Sequence, residues 1–544
     1  MKVTAVLSML HEASDNAEGG KCRNSATRIF RGEPVLAWTL YRLAASRRIT
    51  HTAVACWEDQ LGSVEPIAGE LKAYCSVRSP RVALPRMQAI SAARRWADGW
   101  RGGLLSTCEF DRGFHAGWIS EIQQNFDSDA VLLIDPAAGL VDPTLLDAMI
   151  EHAEQNDEID FFFSPAAPGL SGVLIRNSLL AQLSTSDTHP GAMLAYRPDL
   201  PQRDPISTPA CVPIPASIAR TTQRFSLDSE RQIDRISTGT VHLNGQLIST
   251  QAEQLLHSLS DATVTARMPR EVVIELNVER MSAPIYWPGK YLKLERAELP
   301  LDTAKALLDE IAEVDDLRLV FSGVGDPLLY RQLFDLIDHA HQAGIEAIAL
   351  ETDLLAGDET IDRLADSPVG VISVYMPALS AEVYRAVMGA DGWASAMENL
   401  RRLLQRRLNS RRGTPLIVPT FVKLNENLAE MEPWYDHWLR TLGCAVVTGP
   451  TGYAGQMPDV SVANMEPPLR RPCARLAKRL TVLSDGRFVA CEQDIQGLMP
   501  LGTAGRNSVA DIWSSAAANL RRDHQVGNWQ RHSLCSRCRD WHRP

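Results

Sequence analysis

The feature that most constrains the fold of this chain is a regular alternation of short apolar runs and helical patterns between residues 271 and 447. Each run is nearly continuous in apolar residues, which is typical of a strand buried on both faces of a parallel sheet. We therefore predict a parallel partial barrel with its site at the C-terminal ends of the strands. The predicted strands are 271–276, 317–321, 347–350, 370–374, 416–421 and 445–447.

The C-terminal tail carries four cysteines in a pattern that suits a metal site. Seventeen residues separate Cys473 from Cys491, and forty-three more precede Cys535 and Cys538, which form the pair Cys-Ser-Arg-Cys. Four thiolates can close a tetrahedral zinc site or hold an iron–sulfur cluster, and the spacing alone leaves both open. Residues 480–491 predict a hairpin around a Ser-Asp-Gly turn, with Cys491 at the end of its second strand.

Length and composition limit the class of protein. A chain of 544 residues is too long for one core, so we expect two or three domains. The net charge of −11 argues against a protein that coats nucleic acid or an anionic membrane. The apolar start is too short for a signal peptide, and no later stretch reaches about 20 apolar residues, so we expect a cytoplasmic location. Paired cysteines in that reducing compartment are metal ligands or redox groups rather than structural disulfides.

The first 264 residues predict a separate α/β sandwich. Apolar runs at 3–10, 52–56 and 130–135 are typical of buried strands, and residues 34–43 have helical spacing. In a sheet of this kind the ligand site lies at the carboxyl ends of the strands.

Three segments of this first part resemble the cytidylyltransferases that make activated sugars for surface polysaccharides. The resemblance implies that Asp135 and Asp228 hold a divalent cation, such as Mg²⁺, that bridges the nucleotide phosphates. It also implies that Lys21 or Arg23 meets the triphosphate. The segments are Gly32-Glu-Pro-Val-Leu-Ala-Trp38, Leu133-Ile-Asp-Pro-Ala-Ala-Gly-Leu-Val-Asp-Pro143 and Arg224-Phe-Ser-Leu-Asp-Ser-Glu230.

The loop after the first strand departs from that family. It reads His11-Glu-Ala-Ser-Asp-Asn-Ala-Glu18, which is acidic where the family is glycine-rich and basic. Glu12, Asp15 and Glu18 beside a triphosphate would weaken its binding by like-charge repulsion. We therefore expect a retained fold without transfer activity. The alternative is an active metal-dependent cytidylyltransferase in surface-sugar biosynthesis, with the C-terminal part regulatory.

The predicted barrel resembles the radical S-adenosylmethionine enzymes. Residues Leu319-Val-Phe-Ser-Gly-Val-Gly-Asp-Pro-Leu-Leu329 look like that family's glycine-rich turn. The resemblance implies that Gly323, Gly325 and Asp326 lie where the amino group of the cofactor binds. Glycines at these positions also serve any tight connection between a strand and a helix.

The cysteines that hold the reactive cluster of that family have no counterpart here. The family carries them as a Cx3Cx2C motif in the loop after the first strand. Arg280, Pro284 and Trp287 stand at those positions, and no cysteine occurs between Cys211 and Cys444. Because none of the three side chains ligates iron as a thiolate does, we predict that the barrel does not cleave S-adenosylmethionine reductively. Binding of the intact cofactor at the glycine turn is an alternative.

The tail resembles the SPASM/twitch extension of peptide- and sugar-modifying radical enzymes. Gly486 stands five positions before Cys491, as in the Cx9–15Gx4C element of that extension. The resemblance implies that the four tail cysteines hold one auxiliary [4Fe–4S] cluster, and it favours iron–sulfur over zinc. With four protein thiolates, no iron of such a cluster is open to a substrate.

These patterns together predict three domains, with bounds 1–264, 265–465 and 466–544. The predicted function is that of an iron–sulfur-binding SPASM protein, with a barrel that has lost reductive cleavage and a nucleotidyltransferase-like first domain. A further alternative is a non-catalytic protein that binds a peptide or a sugar in the barrel mouth. We expect a nucleotide, a sugar nucleotide, a peptide or a protein as partner, and neither nucleic acid nor a membrane.

Overall fold

The structure is a computed structural model and describes residues 1–15, 23–82, 84–186, 188–196, 204–243, 245–260 and 266–543. The chain divides into two compact units, residues 1–264 and residues 265–544. The predicted boundary between 465 and 466 lies inside the second unit and stays a prediction. Among the helices of the described segments, none combines the length and the apolar character that a membrane crossing requires.

The first unit is built on a six-stranded sheet. The strands of this unit are β1 (Val3–Ser8), β2 (Ile29–Phe30), β3 (Glu33–Pro34), β4 (His51–Trp57), β5 (Tyr74–Arg78), β6 (Ala130–Ile134), β7 (Phe161–Phe163) and β8 (Val173–Arg176). The sheet has the order β5-β4-β1-β6-β8-β7, and β2 and β3 form a separate pair. The first four strands of the sheet are parallel, and β8 runs antiparallel to both β6 and β7. Every residue of β1 and β6 is buried, as expected for strands covered on both faces.

Helices cover both faces of this sheet, as the two apolar clusters on either side of it indicate. They are α1 (Val35–Ala44), α2 (Leu61–Glu70), α3 (Pro85–Arg95), α4 (Ala116–Asn125), α5 (Pro143–Gln155), α6 (Asn177–Ser184), α7 (Pro190–Met193), α8 (Ala216–Arg220), α9 (Glu230–Gly239) and α10 (Ala252–Ser260). Trp118 on α4 and Phe162 on β7 are among the largest fully buried side chains. The predicted α/β sandwich is confirmed.

The second unit is built on a nine-stranded sheet. Its strands are β9 (Glu271–Ile274), β10 (Arg318–Phe321), β11 (Ala347–Thr352), β12 (Val371–Tyr375), β13 (Leu416–Val422), β14 (Val446–Thr448), β15 (Arg479–Val482), β16 (Arg487–Val489) and β17 (Gly502–Thr503). Strands β9 to β14 lie in chain order and are all parallel. The predicted parallel partial barrel is confirmed, and each predicted strand overlaps an observed one.

Helices connect the strands of the barrel. They are α11 (Leu301–Ile311), α12 (Leu333–Gln342), α13 (Asp358–Asp366), α14 (Ala381–Met388), α15 (Trp393–Asn409) and α16 (Met431–Leu442), followed in the tail by α17 (Val509–Ser514) and α18 (Ala516–Gln525). The ends of these helices follow from local chemistry. The Ser380 side chain accepts a hydrogen bond from the backbone N–H of Val383 at the start of α14. Gly389 and Gly443 end α14 and α16 with φ values of 64° and 75°, which favour glycine.

The hairpin predicted in the tail belongs to the barrel sheet. Strands β15 and β16 are antiparallel, as the Ser-Asp-Gly turn predicts. Strand β15 also pairs in parallel with β9, so that Arg479 lies opposite Glu271 and Val482 lies opposite Ile274. The first strand of the barrel therefore has a partner from the tail on its outer side.

Candidate metal centre and barrel mouth

The four tail cysteines line one cavity. Cys473 precedes a short turn at Arg475–Ala477, Cys491 follows the end of β16, and Cys535 and Cys538 lie in the last turns of the chain. The apolar part of the wall comes from Ala454, Leu476, Ala490, Met499, Leu534 and Trp541, and the polar part from Arg470, Arg475, Gln493, Asp494, His524 and Asp540. The structure thus brings together all four predicted cysteine ligands.

Cys491, Cys535 and Cys538 are thiols at neutral pH when no metal is bound. Burial raises the pKa of Cys535 to about 12 and that of Cys538 to about 11, and it raises the pKa of Cys491 well above its ordinary value. Repulsion between neighbouring thiolates adds to the effect at Cys535. A metal that binds here must displace protons, so its affinity rises with pH.

The four thiols that line the cavity are donors that suit either a tetrahedral zinc ion or an iron–sulfur cluster. In the described part of the chain, no group of three or more His, Cys, Asp or Glu side chains is arranged to hold one metal ion. Tetrahedral zinc needs four sulfur atoms within about 4 Å of one another, since each Zn–S bond is about 2.3 Å. An iron–sulfur cluster supplies its own irons and sulfides, so its cysteines stand farther apart.

An ion-pair network connects the cysteine cavity to the first strand of the barrel. Glu492, next to Cys491, lies 2.8 Å from Arg475 and 2.8 Å from Arg479. Arg479 also pairs with Glu271 on β9. Because these charges satisfy one another, the network holds the wall of the cavity against the barrel sheet.

Arg280, the first of the three residues at the predicted cluster positions, forms a buried ion pair. The Arg280 guanidinium donates to both carboxylate oxygens of Asp353, at 2.7 and 2.8 Å. Ser282 donates a further hydrogen bond to this carboxylate. The side chains of Arg280 and Asp353 are 6% and 0% exposed. A charge buried this deeply requires its partner.

Trp287 packs against this ion pair, and Pro284 is buried in the same segment. The Arg280 guanidinium carbon lies 4.0 Å from the centroid of the Trp287 ring, which is a cation–π contact. The Trp287 ring nitrogen donates to the backbone carbonyl of Val324 at 2.7 Å. The Pro284 carbonyl accepts from the Trp287 backbone N–H at 3.0 Å. All three residues at the predicted cluster positions therefore take part in packing.

The glycine turn fits closely against the segment that follows β9. A Cβ atom at Gly323 would lie 2.4 Å from the side chain of Glu275, and one at Gly325 would lie 1.8 Å from the side-chain oxygen of Asn277. Both glycines are needed because neighbouring groups approach the backbone. The Val324 backbone N–H between them donates to Glu275 at 3.0 Å.

The Asp326 carboxylate accepts hydrogen bonds from neighbouring groups within the fold. Its carboxylate accepts from the Thr352 hydroxyl at 2.8 Å, from the Asp353 backbone N–H at 2.9 Å and from the Leu328 backbone N–H at 3.0 Å. Burial raises the pKa of Asp326, and the nearby charge of Asp353 raises it further. Gly323, Gly325 and Asp326, the predicted cofactor turn, therefore make internal contacts.

The first unit places the predicted cation-binding acids near each other but surrounds them with arginines. Asp135 follows β6, and its side chain accepts from the Ala137 backbone N–H at 2.8 Å. Asp228 pairs with Arg224 and lies 3.8 Å from Arg112. Burial raises the pKa of Asp135, which the charge of Arg112 opposes and that of Asp228 assists.

Of the two residues predicted to bind the triphosphate, the structure describes one. Arg23 is exposed, and its backbone carbonyl accepts from Arg28 at 3.2 Å. Lys21 lies outside the described residues. Glu12 and Asp15 of the acidic loop have structural partners. Glu12 accepts from the backbone N–H and the hydroxyl of Ser25, and Asp15 accepts from Asn24 and Ser63.

Three residues that matter to these sites escaped the sequence analysis. Asp353, the partner of Arg280, directly follows β11 and lies three residues after the predicted strand 347–350. A polar residue at the end of a barrel strand is a signal that could have identified it. Arg112, near Asp228, lies in an irregular segment without such a signal. His524, in the wall of the cysteine cavity, lies on α18, and no sequence signal pointed to it either.

Family models identify the domains of the second unit. Residues 290–435 match the model of the Radical SAM superfamily, and residues 473–539 match the model of SPASM, an iron–sulfur cluster-binding domain. The second unit therefore contains radical SAM and SPASM domains, as the resemblance implied. The first match begins after Trp287, so the positions of Arg280, Pro284 and Trp287 lie outside it.

Individual relatives are more distant. An uncharacterized protein from Treponema pallidum is 26% identical over 314 residues, which are 55% of this chain and 82% of that protein. The PqqA peptide cyclase from Rhodopseudomonas palustris is 28% identical over 140 residues, which are 25% of this chain and 37% of that protein. The chain thus spans little more than a third of the length of this second relative.

Among solved structures, a cytidylyltransferase from Leptospira borgpetersenii is similar to part of this chain. The similarity covers 49% of this chain and 98% of that one, with 13% sequence identity and a TM-score of 0.32. A TM-score of this size is too low to carry an argument about fold or function.

Proposed function

We propose that this protein holds one [4Fe–4S] cluster in its C-terminal cavity and that its barrel does not cleave S-adenosylmethionine reductively. The observation that carries the second part is the buried ion pair between Arg280 and Asp353. The match of residues 473–539 to a cluster-binding domain supports the first part, together with the four cysteines that line one cavity.

The residues of the barrel mouth do not supply the ligands that a reactive cluster needs. Reductive cleavage needs an iron that is open to the cofactor, and the family obtains it from three thiolates. Arg280 keeps its positive charge, because the neighbouring Asp353 carboxylate outweighs burial and raises the pKa of Arg280. A fixed cation with its own carboxylate partner leaves no donor for iron. The contacts of Gly323 and Gly325 also close the turn against Glu275 and Asn277.

The four tail cysteines come from segments that are distant in the sequence. A bound cluster supplies one-electron transfer and a cross-link between these segments. Cys473 and Cys491 hold it next to the hairpin, while Cys535 and Cys538 hold it from the last turns. Because all four positions are protein thiolates, the role that we propose is structural or electron-transferring, without direct binding of a substrate.

Metal and product analysis tests both parts. The full chain, purified anaerobically, is assayed for iron, acid-labile sulfide and zinc, and for 5′-deoxyadenosine after incubation with dithionite and S-adenosylmethionine. We expect about four irons per chain, as one cubane cluster requires, and no 5′-deoxyadenosine. A Cys535→Ser/Cys538→Ser variant should lose the iron, and Cys75→Ser, in the first unit, should keep it. Formation of 5′-deoxyadenosine or the presence of one zinc per chain would contradict the proposal.

For the first unit we infer a cytidylyltransferase-like fold that has lost nucleotide transfer. The supporting observation is that Asp228 already pairs with Arg224 and lies near Arg112, so that its charge is neutralised within the fold. The test is release of pyrophosphate from CTP with Mg²⁺ by the full chain. We expect none above background. Metal-dependent release that disappears in an Asp135→Ala variant would establish the active enzyme instead.

The ligand class that we propose for the barrel mouth is a peptide. The support is the similarity of residues in this chain to a peptide cyclase, the PqqA peptide cyclase from Rhodopseudomonas palustris. The test is thermal stabilisation of the second unit by a peptide library, with free nucleotides and sugars as controls. Stabilisation by nucleotides or sugars alone would contradict the assignment.

A further inference from the structure

The wall of the cysteine cavity contains a histidine whose second ring nitrogen is unused. His524 lies near the end of α18 and is 2% exposed. It lines the same cavity as Cys473, Cys491, Cys535 and Cys538. Its position gives it access to whatever the four thiolates hold.

One hydrogen bond determines which nitrogen of His524 carries the proton. The backbone N–H of Cys473 donates to Nδ1 of His524 at 3.4 Å. A backbone N–H can only donate, so Nδ1 is the acceptor and is not protonated. In the neutral ring the proton is therefore on Nε2, which becomes a hydrogen-bond donor.

The Nε2 donor of His524 has no partner among the described residues, although it is fully buried. Leaving a buried donor unpaired costs about 1–3 kcal/mol, so such a group in a folded protein calls for an explanation. The aromatic neighbours do not supply an acceptor. The His532 ring is stacked against His524 at 6.3 Å between centroids, and the nitrogen of His532 already contacts Asp523 at 2.9 Å.

We propose that Nε2–H of His524 donates a hydrogen bond to a sulfur atom of the bound cluster and raises its reduction potential. This inference rests on the proposed function, because it needs the cluster in the cavity. A hydrogen bond to sulfur stabilises the reduced cluster more than the oxidised one, since the reduced form carries one more negative charge. His524 thus links cluster binding, through Cys473, to control of the electron affinity of the centre.

The experiment compares the cluster potential in matched variants of the full chain. Anaerobically reconstituted wild type, His524→Phe and His532→Phe are titrated with dithionite, and the electron paramagnetic resonance signal of the one-electron-reduced cluster is followed. Iron and sulfide are measured in each sample. We expect full iron content in all three and a lower potential only in His524→Phe. The expected shift is about tenfold in the ratio of reduced to oxidised cluster, or about 59 mV for one electron.

A second measurement keeps the inference testable if His524→Phe does not hold iron. Wild type that contains ¹⁵N-labelled histidine is examined by pulsed electron paramagnetic resonance, which detects a nitrogen close to the cluster. A weak coupling, as for a hydrogen-bonded imidazole, supports the donor. No coupling, a strong coupling typical of iron-bound nitrogen, or an unchanged potential in iron-loaded His524→Phe would overturn it. Wild type without iron would overturn the proposed function itself.

Discussion

Arg280 carries a permanent charge into a buried position in the segment after β9. Its guanidinium forms a two-point contact with Asp353 and lies over the ring of Trp287. The energetic consequence is asymmetric, because the intact pair contributes little net stability while a broken pair leaves one buried charge unpaired. Arg280 and Asp353 therefore each depend on the other as the partner of a buried charge.

Removing this arginine should destabilise the second unit. In Arg280→Leu, Asp353 stays buried without its partner, and we expect the free energy of unfolding to fall by about 3–5 kcal/mol. Urea denaturation measures the change. The control is Arg401→Leu, whose partner Glu398 lies on an exposed helix surface, and which should have little effect. Equal effects in the two variants would contradict the buried-pair argument.

A buried acid of the first unit should make its stability depend on pH. Burial, assisted by the charge of Asp135, raises the pKa of Glu109 from 4.5 to about 8. The unfolded chain releases this proton near pH 4.5 and the folded chain near pH 8. The stability that protonated Glu109 contributes is therefore full below pH 4.5 and is lost as the pH rises to about 8.

The comparison of wild type with Glu109→Gln isolates that contribution. Between pH 5 and pH 8, the unfolding free energy of the wild-type first unit should fall relative to that of the variant, with a slope of at most about 1.4 kcal/mol per pH unit. Denaturation at several pH values measures it. Glu158→Gln, at an exposed position, serves as the control and should track wild type. Parallel curves for Glu109→Gln and wild type would show that Glu109 is ionised in the fold.

At the scale of elements, strand β15 joins the tail to the barrel. It pairs with β16 of its own hairpin and with β9, which precedes it by about two hundred residues. Leu480 in this strand is fully buried in the main core of the second unit. A destabilising substitution in the hairpin should therefore also destabilise the first strand of the barrel, because the two share a sheet and a core.

A smaller side chain at this position tests the connection. Leu480→Ala should cost about 2–5 kcal/mol through loss of buried surface and a residual cavity. It should also speed hydrogen exchange in β9 as well as in the hairpin. Leu469→Ala, whose side chain is 69% exposed, is the matched control and should change neither. Loss of protection confined to 479–489 would mean that the hairpin opens independently.

At the scale of the whole molecule, the chain combines two compact units. The first is an α/β sandwich with arginines near Asp135 and Asp228. The second is a parallel partial barrel that contains the buried pair of Arg280 and Asp353, with four cysteines of the tail lining one cavity. Cluster binding should therefore stabilise the second unit and leave the first unchanged.

A variant that cannot hold the cluster tests whether cluster binding stabilises the second unit alone. In Cys535→Ser/Cys538→Ser, the unfolding midpoint of the second unit should fall and hydrogen exchange should rise from residue 266 onward, because metal binding free energy contributes to folding. The exchange of residues 1–260 should match that of wild type. Cys75→Ser provides the control for a cysteine outside the cavity. An unchanged second unit in the double variant would contradict a structural role for the cluster.

The periodicity of the chain determined the strands and their order along the chain. Continuous apolar runs such as 416–421 and 130–135 predict buried strands because burial on both faces leaves no place for polar residues. Likewise, the ligand chemistry of Cys473, Cys491 and the Cys535/Cys538 pair belongs to the residues themselves, so that their type and spacing were enough to propose a metal site.

Only the tertiary structure decided which distant residues meet. The sequence does not say that Asp353 neutralises Arg280, 73 residues away, that β15 pairs with β9, or that His524 joins the wall of the cysteine cavity. These contacts depend on how the crossovers stack the strands and helices, and many residues could satisfy a local pattern equally well. A charge, a strand edge and an imidazole each need a partner, but packing in three dimensions determines which partner it is.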